Sequence, residues 1–229
     1  MPVTAEKNPV EFDRQRRNMV DSQLRPNRIT DEPILSAMAA LPREIFIPAQ
    51  NRSVAYMDED IAVAPGRYLL EPMVLARMAQ AAELVPGNKV LEIGCNTGYG
   101  VALLCLLGCE TYGIDLDAGL LVAAQNNLRS LGLTAQLSAA PLAGGLSGHA
   151  PYDAILVHGA IAAEPPAAWG AQLAEGGRML VVVAEGNQAV LIGKARLYLK
   201  RHGGVSYREL FDANVRFLPG FAPQPGFVF

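Results

Sequence analysis

The sequence predicts an α/β protein with a doubly wound, mostly parallel sheet, an N-terminal helical cap and antiparallel strands at one edge. Three observations carry that reading. Between about residues 72 and 184, short apolar strand-like runs alternate with helical patterns. The runs Lys89–Ile93, YDAILVHG and RMLVVVA are nearly continuous in apolar residues, as expected of strands covered on both faces. Two long segments, AVLIGKARLYLKR and SYRELFDANVRF, then follow, joined near His202-Gly203-Gly204 as antiparallel strands would be.

The elements follow in order. Residues 8–24 suit a helix with Val10, Met19 and Leu24 among its apolar positions, ending before Pro26, which disfavours helical geometry at Arg25. Thr30 precedes a second helix with Ile34, Leu35, Met38 and Leu41 at helical spacing. Asp31 and Glu32 suit its positive end, Pro33 its first turn, and Pro42 stops it. Residues 43–70, broken by Pro48, Pro65 and Gly66, read as irregular. MVLARMAQAAEL is helical and Lys89–Ile93 is a strand running into Gly94. GYGVALLCLLG is a helix ended by Gly108, and ETYGID is a strand closing on Asp115. A helix over 117–131, the short strand TAQLS, the strand YDAILVHG and a helix over 164–174 complete the alternation. The resulting division is a helical cap over 1–65 and an α/β domain over 66–229.

Composition narrows the class of function. The 229 residues carry 19 basic and 22 acidic side chains, net −3, with no strongly basic segment, so a nucleic-acid partner is not expected. No apolar run approaches the length of a membrane span, and the charged N-terminus does not read as a signal peptide, which points to a soluble cytoplasmic protein. Cys95, Cys105 and Cys109 form no even framework, and His149, His158 and His202 lie far apart. Reduced core thiols and no structural metal are expected.

The segment Val90-Leu91-Glu92-Ile93-Gly94-Cys95-Asn96-Thr97-Gly98-Tyr99-Gly100 carries the chemistry. A strand, a glycine turn and a helix start bring backbone close to a bound nucleoside. It is not the dinucleotide fingerprint, because Asn96 and Tyr99 replace glycines, although Asn tolerates the left-handed region the turn needs. Glu92 is placed to meet a cationic group, and Asp115, about 20 residues past the turn, to accept both hydroxyls of a ribose. No lysine lies near the turn and no phosphate-loop motif exists, so an adenosine ligand without phosphate, S-adenosylmethionine, fits best. A nicotinamide dinucleotide, or a tight turn with two solvated acids, remains open on spacing alone.

From about residue 18 to the C-terminus the chain resembles the protein-L-isoaspartate O-methyltransferase family, within the class I S-adenosylmethionine-dependent methyltransferases. The resemblance rests on the L-P-R-E-x-F-I-P and A-Y-x-D elements of the N-terminal segment, on LEIGCNTGY, and on APYDAILVHGAIAAEPPAAWGAQLAEGGRML. It implies methyl transfer from S-adenosylmethionine to an isoaspartyl carboxyl in damaged protein. It places Glu92, Gly94, Cys95 and Gly98 along the cofactor and Asp115 on the ribose. Asn96, Tyr99 and Leu116, which flank those positions, join the cofactor set. Small-metabolite O- or N-methylation, and a non-catalytic binding module, stay as alternatives, and the oligomeric state is open.

Three departures from the family qualify that expectation. Gly66-Arg67-Tyr68-Leu69-Leu70-Glu71-Pro72 stands where the family has G-Q-T-I-S-x-P, so two hydroxyl side chains are replaced by Tyr68 and Leu70. Ala140-Pro141-Leu142 or its neighbours replace a G-D-G motif, and Asn96 replaces a glycine. Arg67 is the candidate to compensate by holding the substrate carboxylate. His158, at the carboxyl end of its strand, is the candidate general base for a hydroxyl or amine acceptor. Isoaspartyl turnover is expected to be poor. The tail FLPGFAPQPGFVF is expected to fold back over the domain.

Overall fold

The structure is a computed structural model that describes residues 9–185 and 192–223. Its centre is a seven-stranded sheet in the order β5-β4-β3-β6-β7-β8-β9. The strands are β3 (Lys89–Ile93), β4 (Glu110–Asp115), β5 (Gln136–Ala139), β6 (Tyr152–Ile161), β7 (Leu173–Glu185), β8 (Ile192–Arg201) and β9 (Gly204–Ala213). β3 to β7 pair in parallel, and β7, β8 and β9 pair antiparallel, as the sequence predicts. The chain runs outward from β3 to β5, then returns to the other side of β3 as β6. Ligands of open α/β sheets bind at such a reversal, outside the carboxyl ends of the strands.

Strand alternation sorts the core into two faces. Val90, Ala154 and Leu156 pack on one side, with the cap and with α3 (Pro72–Ala81), α4 (Tyr99–Leu106) and α5 (Ala118–Ser130). Leu91, Ile93, Ile155 and Val157 pack on the other, with Trp169 of the short helix α6 (Ala167–Ala171). The cap is α1 (Pro9–Met19), a wider turn over Val20–Leu24, a tight turn over Arg25–Asn27, and α2 (Glu32–Ala40). Asp31 caps α2, its side chain accepting from the Ile34 amide at 3.1 Å. Met19, Leu24, Ile34, Leu35, Met38 and Leu41 are buried, whereas Val10 faces solvent.

Four expectations need correction. Arg25 is helical (φ −58, ψ −44), because Pro26 falls in the opening turn of a new helical segment, where no amide donor is required. The stretch expected to be wholly irregular contains an antiparallel hairpin, β1 (Ile61–Ala64) and β2 (Arg67–Leu69), turned by Pro65 and Gly66 at φ +68. Strands this short leave no readable alternation, so the turn residues dominated the pattern. The helix expected over 164–174 is only five residues, and β7 begins at Leu173, ahead of the glycine pair. β6 continues past His158 to Ile161, with a break in register between Leu156 and Ala160.

The C-terminal segment folds back as far as it is described. Leu218 N donates to Ala160 O and Ala160 N to Arg216 O, each at 2.9 Å, and Phe221 lies against Trp169 with ring centroids 5.4 Å apart. Phe227 and Phe229, like residues 189–191 of the expected first edge strand, lie outside the described residues.

Arg43, from the L-P-R-E element, ties the cap to the domain. It is fully buried; its Nε donates to Ala55 O at 2.8 Å and its Nη2 to Leu70 O at 2.6 Å. Its guanidinium lies 4.9 Å from the centroid of the Tyr99 ring. Thr97 Oγ1 adds a 2.7 Å bond to Phe46 O. Arg43→Ala strips two buried carbonyls of their donor, so it should cost about 2–4 kcal/mol in urea unfolding. A shift in midpoint matching less than about 1 kcal/mol would show that the cap is held otherwise.

Candidate active site

Three strand ends converge at the sheet reversal. β3 enters the turn through Gly94 (φ +76) and leaves it at Gly98 (φ +91), with Asn96 left-handed at φ +58 between them. The amides of Gly94 and Cys95 both donate to Ile114 O on β4, at 2.9 and 3.0 Å. A Cβ at Gly98 would lie 3.0 Å from Ala124 Cβ, so glycine there lets α4 and α5 approach. Asn96 fills the left-handed position the sequence allowed it, and its Nδ2 donates to Tyr68 O at 3.0 Å.

Asp115 ends β4 with no exposed surface. Its Oδ2 accepts from Asn96 N at 2.9 Å and its Oδ1 from Asp117 N at 3.1 Å. The remaining acceptor capacity goes to Arg67, whose Nη1 lies 2.5 Å from Oδ1 and whose Nη2 lies 2.7 Å from Oδ2. Nη2 also donates to Gly94 O at 3.1 Å. An ionised carboxylate offers about four lone-pair sites, and all four are used. The carboxylate that Arg67 holds is therefore the chain's own.

Glu92 and His158 form a second buried pair. His158 Nδ1 is 2.7 Å from Glu92 Oε1, and His158 Nε2 accepts the Leu70 amide at 3.2 Å. Accepting at Nε2 requires the proton on Nδ1, so the imidazole is held as one neutral tautomer with both nitrogens engaged. Glu92 is packed under the start of α4, where a Cβ at Gly100 would fall 2.0 Å from its Oε1. Its Oε2 and Asn96 Oδ1 are buried without a partner among the described residues.

The remaining candidates spread out. Tyr99 is fully buried in edge-on contact with Phe46, at 5.3 Å, which places it in the cap interface. Cys95 is buried and its thiol is pushed well above the usual range, chiefly by burial. Leu116 follows Asp115 with 52% of its surface exposed. Three residues were not singled out beforehand: Arg43, Asp60 and Leu218. Asp60 accepts the amides of Glu71 and Arg216 at 3.0 and 3.1 Å, joining the hairpin to the C-terminal segment. Leu218 covers the turn, for a Cβ at Gly94 would lie 2.7 Å from its Cδ2. The DEDIAV run and the leucine in FLPG carry no periodic pattern, so only their long-range contacts mark them.

A mostly parallel sheet with flanking helices, a glycine turn after β3 and an acid closing β4 matches the fold of the class I S-adenosylmethionine-dependent methyltransferases. An acid placed for a ribose and close backbone at the turn suit that cofactor in kind, and the Arg67 guanidinium already holds that acid. The space around it is filled by Arg67 and Leu218. The cavity between the hairpin, His158 and Leu218 is about 10 Å³, the room of a single water, where small-molecule sites take about 300–1,000 Å³.

Residues 14–219 match the family model for protein-L-isoaspartate(D-aspartate) O-methyltransferase, and the chain belongs to that family. It is 38% identical to the protein-L-isoaspartate O-methyltransferase of Koribacter versatilis over 93% of this chain and 95% of that one. The corresponding enzyme of Methylorubrum populi is 35% identical over 90% and 95%. Among solved structures, a protein-L-isoaspartate O-methyltransferase superposes with a TM-score of 0.76, at 23% identity over 90% of this chain and 67% of that one. A putative Plasmodium falciparum member in complex with S-adenosyl-L-homocysteine gives 0.73, at 17% identity over 89% and 97%. No helix among the described residues is long and apolar enough to cross a membrane.

Two outcomes follow from these charges. Removing one partner of a buried ion pair strands the other, so Arg67→Ala should cost about 3–5 kcal/mol in chemical unfolding. The double variant Arg67→Ala/Asp115→Ala should recover part of that loss; an additive double would mean the two charges do not interact. Burial, then Asp58 and Asp60, push the Glu71 carboxyl up to about 7, against a counteracting pull from Arg43. An acid whose folded value is raised favours the fold at low pH and disfavours it as pH rises from 4.5 through about 7. Glu71→Gln should therefore raise the urea midpoint at pH 8 and leave it little changed at pH 4. Equal effects at both pH values would contradict this.

Proposed function

We propose that this chain transfers a methyl group from S-adenosylmethionine to the side-chain carboxylate of an isoaspartyl residue in damaged protein, as cytoplasmic protein repair. The observation that carries the choice of acceptor is the engaged state of His158. A carboxylate is ionised at neutral pH and needs no base to become a nucleophile. An alcohol or amine would need one, and the imidazole at this strand end has both nitrogens bound to the chain.

When bound, the cofactor supplies an activated methyl group on a sulfonium, an excellent leaving group. The chain's own residues supply placement. Once Arg67 yields it, Asp115 would accept hydroxyl donors, and Gly94 and Gly98 let backbone come close. Leu116, exposed beside Asp115, offers an apolar surface. His158 acts as a positioning residue, since its bond to the Leu70 amide ties β6 to the loop entering α3. Holding nucleophile and methyl group in line accounts for most of the rate in such a reaction.

A second reading, another acceptor on the same scaffold, is favoured by Leu70, whose side chain is buried where the family has a hydroxyl. A site that must hold a carboxylate loses a few kcal/mol without its donors. Radiolabelled methyl transfer to an isoaspartyl peptide and its aspartyl isomer separates the readings. Label should enter only the isoaspartyl peptide, slowly, and Leu70→Ser should raise the rate about tenfold or more. The turnover profile should show no limb near the ordinary histidine range. No label with either protein while cofactor binds would assign a different acceptor, and a limb near pH 6.5 lost in His158→Gln would restore the general-base role.

A further inference from the structure

We infer that Arg67 is an internal stand-in for the cofactor's ribose, and that with Leu218 it latches the cofactor site shut. The inference rests on the methyltransferase reading and concerns how the same site opens. The two guanidinium donors meet the two oxygens of Asp115 separately, at 2.5 and 2.7 Å. A ribose offers the same thing, two adjacent hydroxyl donors for one carboxylate. The guanidinium therefore satisfies the group on which a nucleoside would rely, and ribose and Arg67 compete for it one for one. Leu218 closes the other approach, because it sits over the α-carbon of Gly94, where backbone must be open for a ligand to come close.

The latch is built from segments that are tied to each other. Arg67 begins β2, in the hairpin turned by Gly66. Asp60, next to β1, accepts the amide of Arg216, two residues before Leu218. The Arg216 guanidinium lies 5.7 Å from the Tyr68 ring, so hairpin and C-terminal segment touch a second time. Arg67 and Leu218 are both buried, so a ligand reaches Asp115 when the hairpin and the C-terminal segment give way. The remaining partners of Asp115, the amides of Asn96 and Asp117, belong to the scaffold and are unaffected.

A protein whose competent form is a minor fraction binds with its intrinsic affinity reduced by that fraction. Titration calorimetry of the full chain with S-adenosyl-L-homocysteine should give weak binding for wild type. Arg67→Ala should bind at least about tenfold more tightly. Leu218→Ala, which leaves the ion pair alone, should tighten binding to a smaller degree. Hydrogen exchange of the wild-type chain gives a test that needs no variant. Amides of 61–70 should exchange faster with saturating ligand, because the ligand releases the hairpin. If Arg67→Ala does not fold, as judged by circular dichroism, Leu218→Ala and the exchange experiment decide. Unchanged or weaker binding by folded Arg67→Ala, with tight wild-type binding and protected hairpin amides, would overturn the latch and leave the methyltransferase reading intact. Absence of binding by wild type and both variants would overturn both.

Discussion

A buried carboxylate without partners costs more than most folds can bear, and Asp115 sets that constraint at the centre of this one. It lies at the end of a central strand with no exposed surface, and its charge is balanced by donors from three segments far apart in sequence. The turn after β3 contributes an amide, the start of α5 contributes another, and the hairpin contributes a guanidinium. Each must hold its place for the others to be satisfied. Breaking such a pair costs more than the intact pair adds, because the surviving charge is left buried alone.

The same requirement explains how the cap and the C-terminal segment are organised. Arg67 can reach Asp115 because β1 and β2 are anchored from both sides, by Arg43 to Leu70 O and by Asp60 to the Glu71 and Arg216 amides. His158 adds a further tie through the Leu70 amide. These ties converge on one loop of seven residues, Gly66 to Pro72. This loop carries one of the three departures from the family pattern. The alterations are mutually consistent: Arg67 supplies two donors inward, and Leu70 gives up a hydroxyl and is buried.

Two buried acids thus have opposite surroundings despite lying on adjacent strands. Glu92 faces a neutral histidine and keeps one oxygen without a partner among the described residues. Asp115 faces a full positive charge and keeps none. Catalysis by placement asks for little proton transfer, which agrees with a site where the histidine is fixed rather than poised.

Much of this was legible in the sequence. The alternation of strands and helices, the turn at Gly94 to Gly98, and the acid closing the next strand all come from local periodicity and from glycine, whose effects are confined to a few neighbouring residues. The elements N-terminal to the turn identified the family because they are less widely shared than the turn itself. Even the Glu92–His158 pair had a signal. With Val90 and Leu156 on one face, strand alternation puts residues 92 and 158 on that same face of neighbouring parallel strands. What tertiary structure alone decided was which carboxylate Arg67 would meet. Its sequence neighbourhood supplied the charge and the turn, and these suited an external carboxylate equally well. The choice of Asp115, 48 residues away, depends on where a three-residue strand docks and on Leu218 closing over Gly94. Those are packing outcomes between segments with no periodic pattern of their own, and nothing local to either segment encodes them.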